Sequence, residues 1–510
     1  GSANSREMSI FRQTVSSLAD TTTELDFVTL MATGSFEVVT TVVNEAGNST
    51  AAATVVTITE GELRTWSGAG KDKLASTPGN WVPAIAPVTG NSILMVDTAQ
   101  KECTWDLDIV VSEWTHAPSF VGQVVFETHY PGAGTFTNFT IARNAMLYSG
   151  VWTHPVNSGG AEEVNRLCVT VGGNMFLDGE AAINLDGTGF AAGSGPGAGN
   201  ALAATSSRSA SHGGSGARNI EGKGTYGSIV CPESLGSGAH GRGGGALRLA
   251  VGGAMELDGK IVARGVVGNN NGNYSPGAGG SILLLADSLG GCGEILAGAD
   301  DAAIIYYGSG GGRIALHLTS ESDLSGLEIS AAPHGKVLNG GGRAGTIYLK
   351  TPSLKRVLID QRNIGTATGN HTDLPPRLAS FVGDPVFDNE FADAELVVTN
   401  GAFLGLTRDC RAGNILYLNG NLALNSWTLY LKSPEPAGSF PADYGGGSII
   451  EDGLFYTFDG GSELIRDGRV LWGDAPVSWR VVSVTHESGG GETEINGTMR
   501  EGYFAHQSRP

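Results

Sequence analysis

A Gly-led apolar pentad recurs four times along this chain and constrains what it can fold into. Its copies are Gly245-Ala246-Leu247-Arg248-Leu249, Gly280-Ser281-Ile282-Leu283-Leu284, Gly312-Arg313-Ile314-Ala315-Leu316 and Gly345-Thr346-Ile347-Tyr348-Leu349. Their central Leu or Ile positions lie 35, 32 and 33 residues apart. A longer repeat, Val171–Gly179 against Val251–Gly259, has an offset of 80 residues. A period near 33 residues, with short strands, Gly turns and no helical pattern, predicts one solenoid round per repeat. A single round cannot bury its own apolar face; rounds stacked at about 4.8 Å can. The predicted fold class is all-β: a right-handed parallel β-helix (solenoid) with a small N-terminal β-sandwich-like segment. In this register Leu247, Ile282, Ile314 and Ile347 form one inward column, with their neighbours pointing outward.

Composition narrows the choice. Glycine is 79 of 510 residues, but proline is only 19 and no Gly-X-Y period exists, so a collagen helix is excluded. Hydrophobic residues make up 40%, enough for a core. The net charge of −20 disfavours binding to nucleic acid. No run of eighteen apolar residues exists, so no membrane-spanning helix is expected. The opening Gly-Ser-Ala-Asn shows no signal peptide; it reads as a processed terminus or cloning scar on a mature form or fragment. The cysteines are Cys103, Cys168, Cys231, Cys292 and Cys410, an odd number without metal-ligand spacing. They read as small buried hydrophobes.

Four segments follow. Residues 1–62 carry strand patterns at 25–30, 34–43 and 52–59, with a turn at 44–49. Residues 63–100 form a Trp-containing capping segment. In it Trp66 and Trp81 are either core plugs or exposed platforms for sugar rings. Residues 101–434 are the Gly-rich parallel β-helix, interrupted by a long loop at 187–245 and a shorter one at 269–280. Residues 435–510 are C-terminal β coils and a cap, with Trp472 and Trp479 as cap residues. Trp105-Asp106-Leu107-Asp108 reads as a strand with one acidic face.

The stretch "FEVVTTVVNEAGNSTAAATVVTI" resembles the last strands of a fibronectin-III or immunoglobulin-like module. Such a sandwich needs about 100 residues, so 1–62 is a partial one. The "W-S-G … N-W … P … G-N" pattern of 63–100 is similar to the start of repeats in autotransporter-like surface β-helices. The segments "RLCVTVGG", "GFAAGSGPGAG", "GGGALRLAVGG", "GGSILLLA", "GGGRIALHL" and "GGRAGTIYLK" resemble Gly-rich secreted bacterial surface proteins. That resemblance covers about 200 residues, 151–350. It implies a secreted or cell-surface β-helix and no particular activity.

Candidate functional residues concentrate in the long loop and its return: His212, Arg218, Lys223, Tyr226, Glu233, His240 and Arg242. A glycan lyase needs a base beside the acidic sugar carbon and a cation on the uronate. His212, Lys223, His240 and Arg242 are the candidates for that chemistry, and Arg218, Tyr226 and Tyr274 for carbohydrate contact. The same residue types also keep a Gly-rich loop solvated. Asp178 and Asp258 occupy equivalent "LDG" corners and read as turn residues. The Gly runs lack the Gly-Lys-Ser/Thr of a phosphate loop, and no His spacing points to a metal, so no cofactor is expected. Two functions remain. The first is a non-catalytic extracellular bacterial surface module for adhesion, glycan contact or extracellular assembly. The second is a polysaccharide lyase or glycoside hydrolase working in a groove of the β-helix. The expected partner is a polysaccharide or cell-surface glycan. The unprotected strand at 51–59 offers a route to homo-oligomers. Upstream residues, or packing on the first solenoid round, would equally complete that segment.

Overall fold

The computed structural model describes residues 62–158, 160–199, 209–217, 224–268, 275–299, 307–333, 340–365, 371–377 and 390–418. It also describes Trp427 and strands at 34–43, 49–58, 421–423, 428–431, 447–451, 454–458, 464–466, 469–471, 479–486 and 493–497. The expected strand at 25–30 and Trp472 lie outside these residues. No α-helix occurs among the described residues; the one helical turn is the 3₁₀ segment Pro78–Asn80. None is a helix long and apolar enough to cross a membrane.

Three sheets are visited in rotation. The chain passes from Val110–Val111 to Trp114–His116 to Gln123–Phe126, then begins again at Phe139–Ile141, Ala145–Leu147 and Gly150–Thr153. Further rounds start at Leu167–Val171, Ala246–Val251, Ser281–Ala286, Arg313–Leu318 and Thr346–Lys350. The starting strands line up side by side in a ten-stranded sheet 1. The second and third strands of each round line up in sheet 2 (eight strands) and sheet 3 (seven strands). Neighbouring rounds pair in parallel, as in Leu247↔Ile282, Ile282↔Ile314 and Ile314↔Ile347. These four side chains form one buried column in the core between the sheets. Met175 pairs with Met255, so the 80-residue repeat is two adjacent rungs separated in sequence by the long loop.

The column gives a direct expectation. Ile314 is fully buried among its stacked neighbours. Ile314→Asp places an unpaired charge there and should cost more than about 4 kcal/mol, abolishing soluble folded protein. A urea-unfolding midpoint near that of the parent would refute the stacking.

The first rounds are plugged by indoles. Trp66, Trp81, Trp105, Trp114 and Trp152 are all buried, with successive centroid separations of 5.2, 6.2, 4.9 and 5.9 Å. Trp66 and Trp81 are therefore core residues, not sugar platforms. The strand Glu102–Trp105 stops at Trp105. Asp106 then turns the corner, accepting the Ser76 N–H at 2.9 Å, so the expected strand through 108 is corrected. Corners are also tied from round to round. Asn144 Oδ1 accepts the Asn174 N–H at 2.9 Å, and Asn174 Oδ1 accepts the Ala254 N–H at 3.0 Å. Asp258 accepts the Cys292 N–H at 3.0 Å, which is the turn role its sequence context implied.

At Thr346–Lys350 the chain reverses. Lys355–Asp360 pairs antiparallel with it, and Glu395–Thr399 and Asn414–Leu418 then extend sheet 1 in the new direction. The buried face changes with the direction. Val357, Ile359, Leu396 and Val398 belong to a second core, which also takes Leu283, Ala315 and Tyr348 from the outer face of the earlier strands. The neighbours of the inward column thus point away from the first core as expected, but several are buried from the other side. Ile282–Ala286 is an unbroken apolar run for this reason, because both faces of its strand are covered.

At the N-terminal side, Gly34–Val43 and Ser49–Ile58 form an antiparallel hairpin with Gly34 opposite Ile58.

Candidate functional site

The long loop carries no strand or helix among its described residues. It does not project into solvent, however. Ala198, Ala210, His212, Ala217 and Ala239 are buried. The Gly-rich segments that lead into the sheet 1 strands pack beside it as extended chains. These segments bond in several directions at once. Gly310 N–H donates to Ala210 O at 2.9 Å, Gly311 N–H donates to Arg343 O at 2.9 Å, and Gly310 O accepts from Gly279 N–H at 3.2 Å. Such an arrangement is a bundle and not a sheet. It exists because glycine lets backbones touch: a Cβ on Gly241 would stand 1.7 Å from Val266 O, and one on Gly243 would stand 1.8 Å from Gly236 O. The same logic places glycine on the axis of collagen.

This bundle absorbs three of the side chains singled out in the sequence, His212, Tyr226 and Arg242. His212 is fully buried, and its Nδ1 donates to Gly279 O at 2.7 Å. Its ring lies 4.5 Å from that of Tyr226. Burial, with the nearby Arg313 charge, pushes its pKa down to about 3, so the ring is neutral at pH 7. The Tyr226 hydroxyl donates to Leu235 O at 2.6 Å and also meets Ser237 Oγ at 2.7 Å. Burial raises its pKa, so it holds its proton. Arg242 donates to Gly187 O at 2.9 Å, Asn157 O at 2.6 Å and Gly189 O at 2.9 Å. His240 is half-buried, and burial lowers its pKa. His212 and Tyr226 are brought together, whereas Arg242 spends its guanidinium on a different corner. Lys223, Arg218 and Tyr274 lie outside the described residues. The reason is general: closely packed backbones leave carbonyls without N–H partners, and long cations and imidazoles supply the missing donors.

An ionisable group that the sequence did not reveal sits where the loop returns to sheet 1. Glu233 accepts from Arg166 Nη1 at 2.8 Å and forms an ion pair with Arg248, whose Nε lies 3.2 Å away. The Arg166 guanidinium lies 5.0 Å over the Tyr130 ring, and the Tyr130 hydroxyl donates to the Glu233 carbonyl. Beside them Glu163 accepts the Leu235 N–H at 2.7 Å. Burial pushes the Glu163 carboxyl up to about 7, against the pull of that N–H. A carboxyl raised toward neutrality thus neighbours a second carboxylate held by two arginines, the kind of pair from which acid–base chemistry can be built. Glu233 was visible as one of the loop's polar residues. Tyr130, Glu163, Arg166 and Arg248 were not, because they come from three separate rounds and no linear spacing joins them.

A second buried carboxylate ties the loop to the later strands. Asp373 Oδ2 accepts from Thr225 Oγ1 at 3.1 Å, and its Oδ1 faces His371 Nδ1 at 3.1 Å and Arg377 Nη2 at 3.3 Å. Between Tyr348, Lys355, Glu390 and Asp393 lies a hollow of about 90 Å³. Pockets that enclose organic ligands start at about 300 Å³.

No family model matches this chain, and neither a curated protein nor a solved structure matches it.

Proposed function

We propose that this protein is a non-catalytic extracellular surface rod, presented by a bacterial cell for adhesion, glycan contact or extracellular assembly. One observation carries the reading. Two of the four long-loop side chains suited to acid–base chemistry, His212 and Arg242, are engaged by framework carbonyls. His212 donates to Gly279 O, Arg242 donates to three carbonyls, and Arg313 Nε donates to Tyr226 O at 2.8 Å. These are the contacts of a stiffened scaffold. The rotation through three parallel sheets supports a closed three-sided β-helix, and the rarity of left-handed parallel crossovers supports a right-handed one. The strands after residue 354 keep that hand. Strand direction and buried face both invert there, and two inversions cancel. The resemblance of residues 151–350 to Gly-rich surface proteins supports the extracellular placement.

Glu163 beside Glu233 is the observation from which a hydrolase reading starts. One experiment addresses both readings. The chain is incubated with a panel of neutral and acidic polysaccharides, then scored for retention in affinity electrophoresis and for new reducing or unsaturated ends. Retention of at least one glycan without new ends is expected. New ends that disappear in Glu163→Gln would replace the scaffold reading with the hydrolytic one.

A further inference from the structure

Residues 227–234 are attached to the rest of the molecule through side chains. Tyr226 and Leu235 are joined by the tyrosine hydroxyl, so the two ends of this octapeptide meet. Both are buried, and the chain leaves Tyr226 through Gly227 at φ +77, a left-handed turn that favours glycine. Among the described residues, no backbone–backbone hydrogen bond connects 227–234 to the rest of the molecule. Side chains hold it instead. Glu390 accepts from the Ile229 N–H at 2.5 Å and from the Ser228 hydroxyl. His317 Nε2 donates to Val230 O at 2.7 Å, and Ser281 Oγ donates to Ser234 O at 2.6 Å. Arg166 and Arg248 hold Glu233. Beneath the octapeptide lie Leu283, Ala315 and Tyr348 on the outer face of sheet 1, with Ile229 buried against them.

We propose that residues 227–234 form a hinged flap over this apolar strip, latched by Glu390 and Glu233 and able to open without disturbing the sheet. A segment held by ladder bonds opens only when its sheet does. One held by side chains opens when those contacts release, at lower cost. Opening turns the flap about its Tyr226–Leu235 base, withdraws Ile229 and uncovers Leu283, Ala315 and Tyr348. The covered strip is thus a gated apolar surface on the flank of the rod.

Hydrogen exchange tests this on the full chain and on the double variant Glu233→Gln, Glu390→Gln. In the variant, the amides of Ile229, Val230 and Cys231, which Glu390 and the Glu390-bound Ser228 hydroxyl protect, should exchange at least tenfold faster than in the parent. The amides of strands Ser281–Ala286 and Arg313–Leu318 should keep their parental rates. Unchanged flap exchange would show that the carboxylates are not the latch. Equal acceleration of the strands, or loss of the fold, would show that 227–234 is part of the sheet's own support. Either result overturns the proposal.

Discussion

Replacing Gly345 by alanine is expected to destabilise the protein by at least about 3 kcal/mol, while the same replacement at Gly365 should be neutral or stabilising by about 0.4–1 kcal/mol. The two glycines look alike in the sequence. At Gly345 a Cβ would sit 1.7 Å from Gly312 O, and the atoms it would displace are backbone. Neither side can yield without breaking bonds such as Gly345 N–H to Ala331 O at 2.8 Å. Gly365 is exposed, has no atom within 4 Å of a Cβ and does not adopt a left-handed φ. There alanine only reduces the freedom of the unfolded chain. Urea-unfolding midpoints of the two variants provide the comparison. Similar midpoints would mean that the Gly-rich segments are ordinary loops and the close-packed bundle does not form.

Acid should unfold this protein more steeply than its carboxylates alone explain. His116, His154 and His212 are buried, and burial lowers them to about 3, 4 and 3. All three are fixed as neutral rings. His116 Nδ1 meets Ser149 O at 2.8 Å while its Nε2 accepts from Trp152 Nε1 at 3.2 Å. His154 Nδ1 meets Pro155 O at 2.8 Å, and its Nε2 meets Thr188 Oγ1 at 3.1 Å. Their ordinary value is 6.5, so the unfolded chain takes up three protons that the folded chain refuses. Their contribution is complete above pH 6.5 and is lost as the pH falls toward the folded values. Glu163 acts in the opposite sense. Its folded value of about 7 lies above its ordinary 4.5, so its contribution is present below 4.5 and lost as the pH rises through 7. Three protons against one leave a net uptake of about two on unfolding, on the order of 3 kcal/mol of stability lost per pH unit between about 6 and 5. Urea titrations at several pH values measure this slope. His116→Gln should reduce it by about one proton, whatever it does to absolute stability. A flat profile from pH 7 to 5, or an unchanged slope in that variant, would contradict the neutral, buried state of these rings.

What the sequence determined by itself was the periodic part. The step near 33 residues, the column from Leu247 to Ile347 and the Gly-led strands are written into the rounds between those residues, so local pattern was sufficient to place them. The corner role of Asp258 was legible for the same reason. The tertiary structure decided the rest. Glycine marks a pliant loop and a backbone contact with the same letter. Whether residues 187–245 float or pack depends on neighbours up to 162 residues away, as in Gly214 N–H to Gly311 O at 2.9 Å, Thr225 to Asp373 or Ser228 to Glu390. Of the candidates for catalysis, His212 and Arg242 are bonded to backbone carbonyls as staples, and burial is not a property of a linear segment. The Glu163–Glu233 cluster and the latch of Glu390 on Ser228 and Ile229 join separate rounds of the chain. Only the stacking of those rounds brings them together, because the period fixes which strands are neighbours but not where the long insertion folds back.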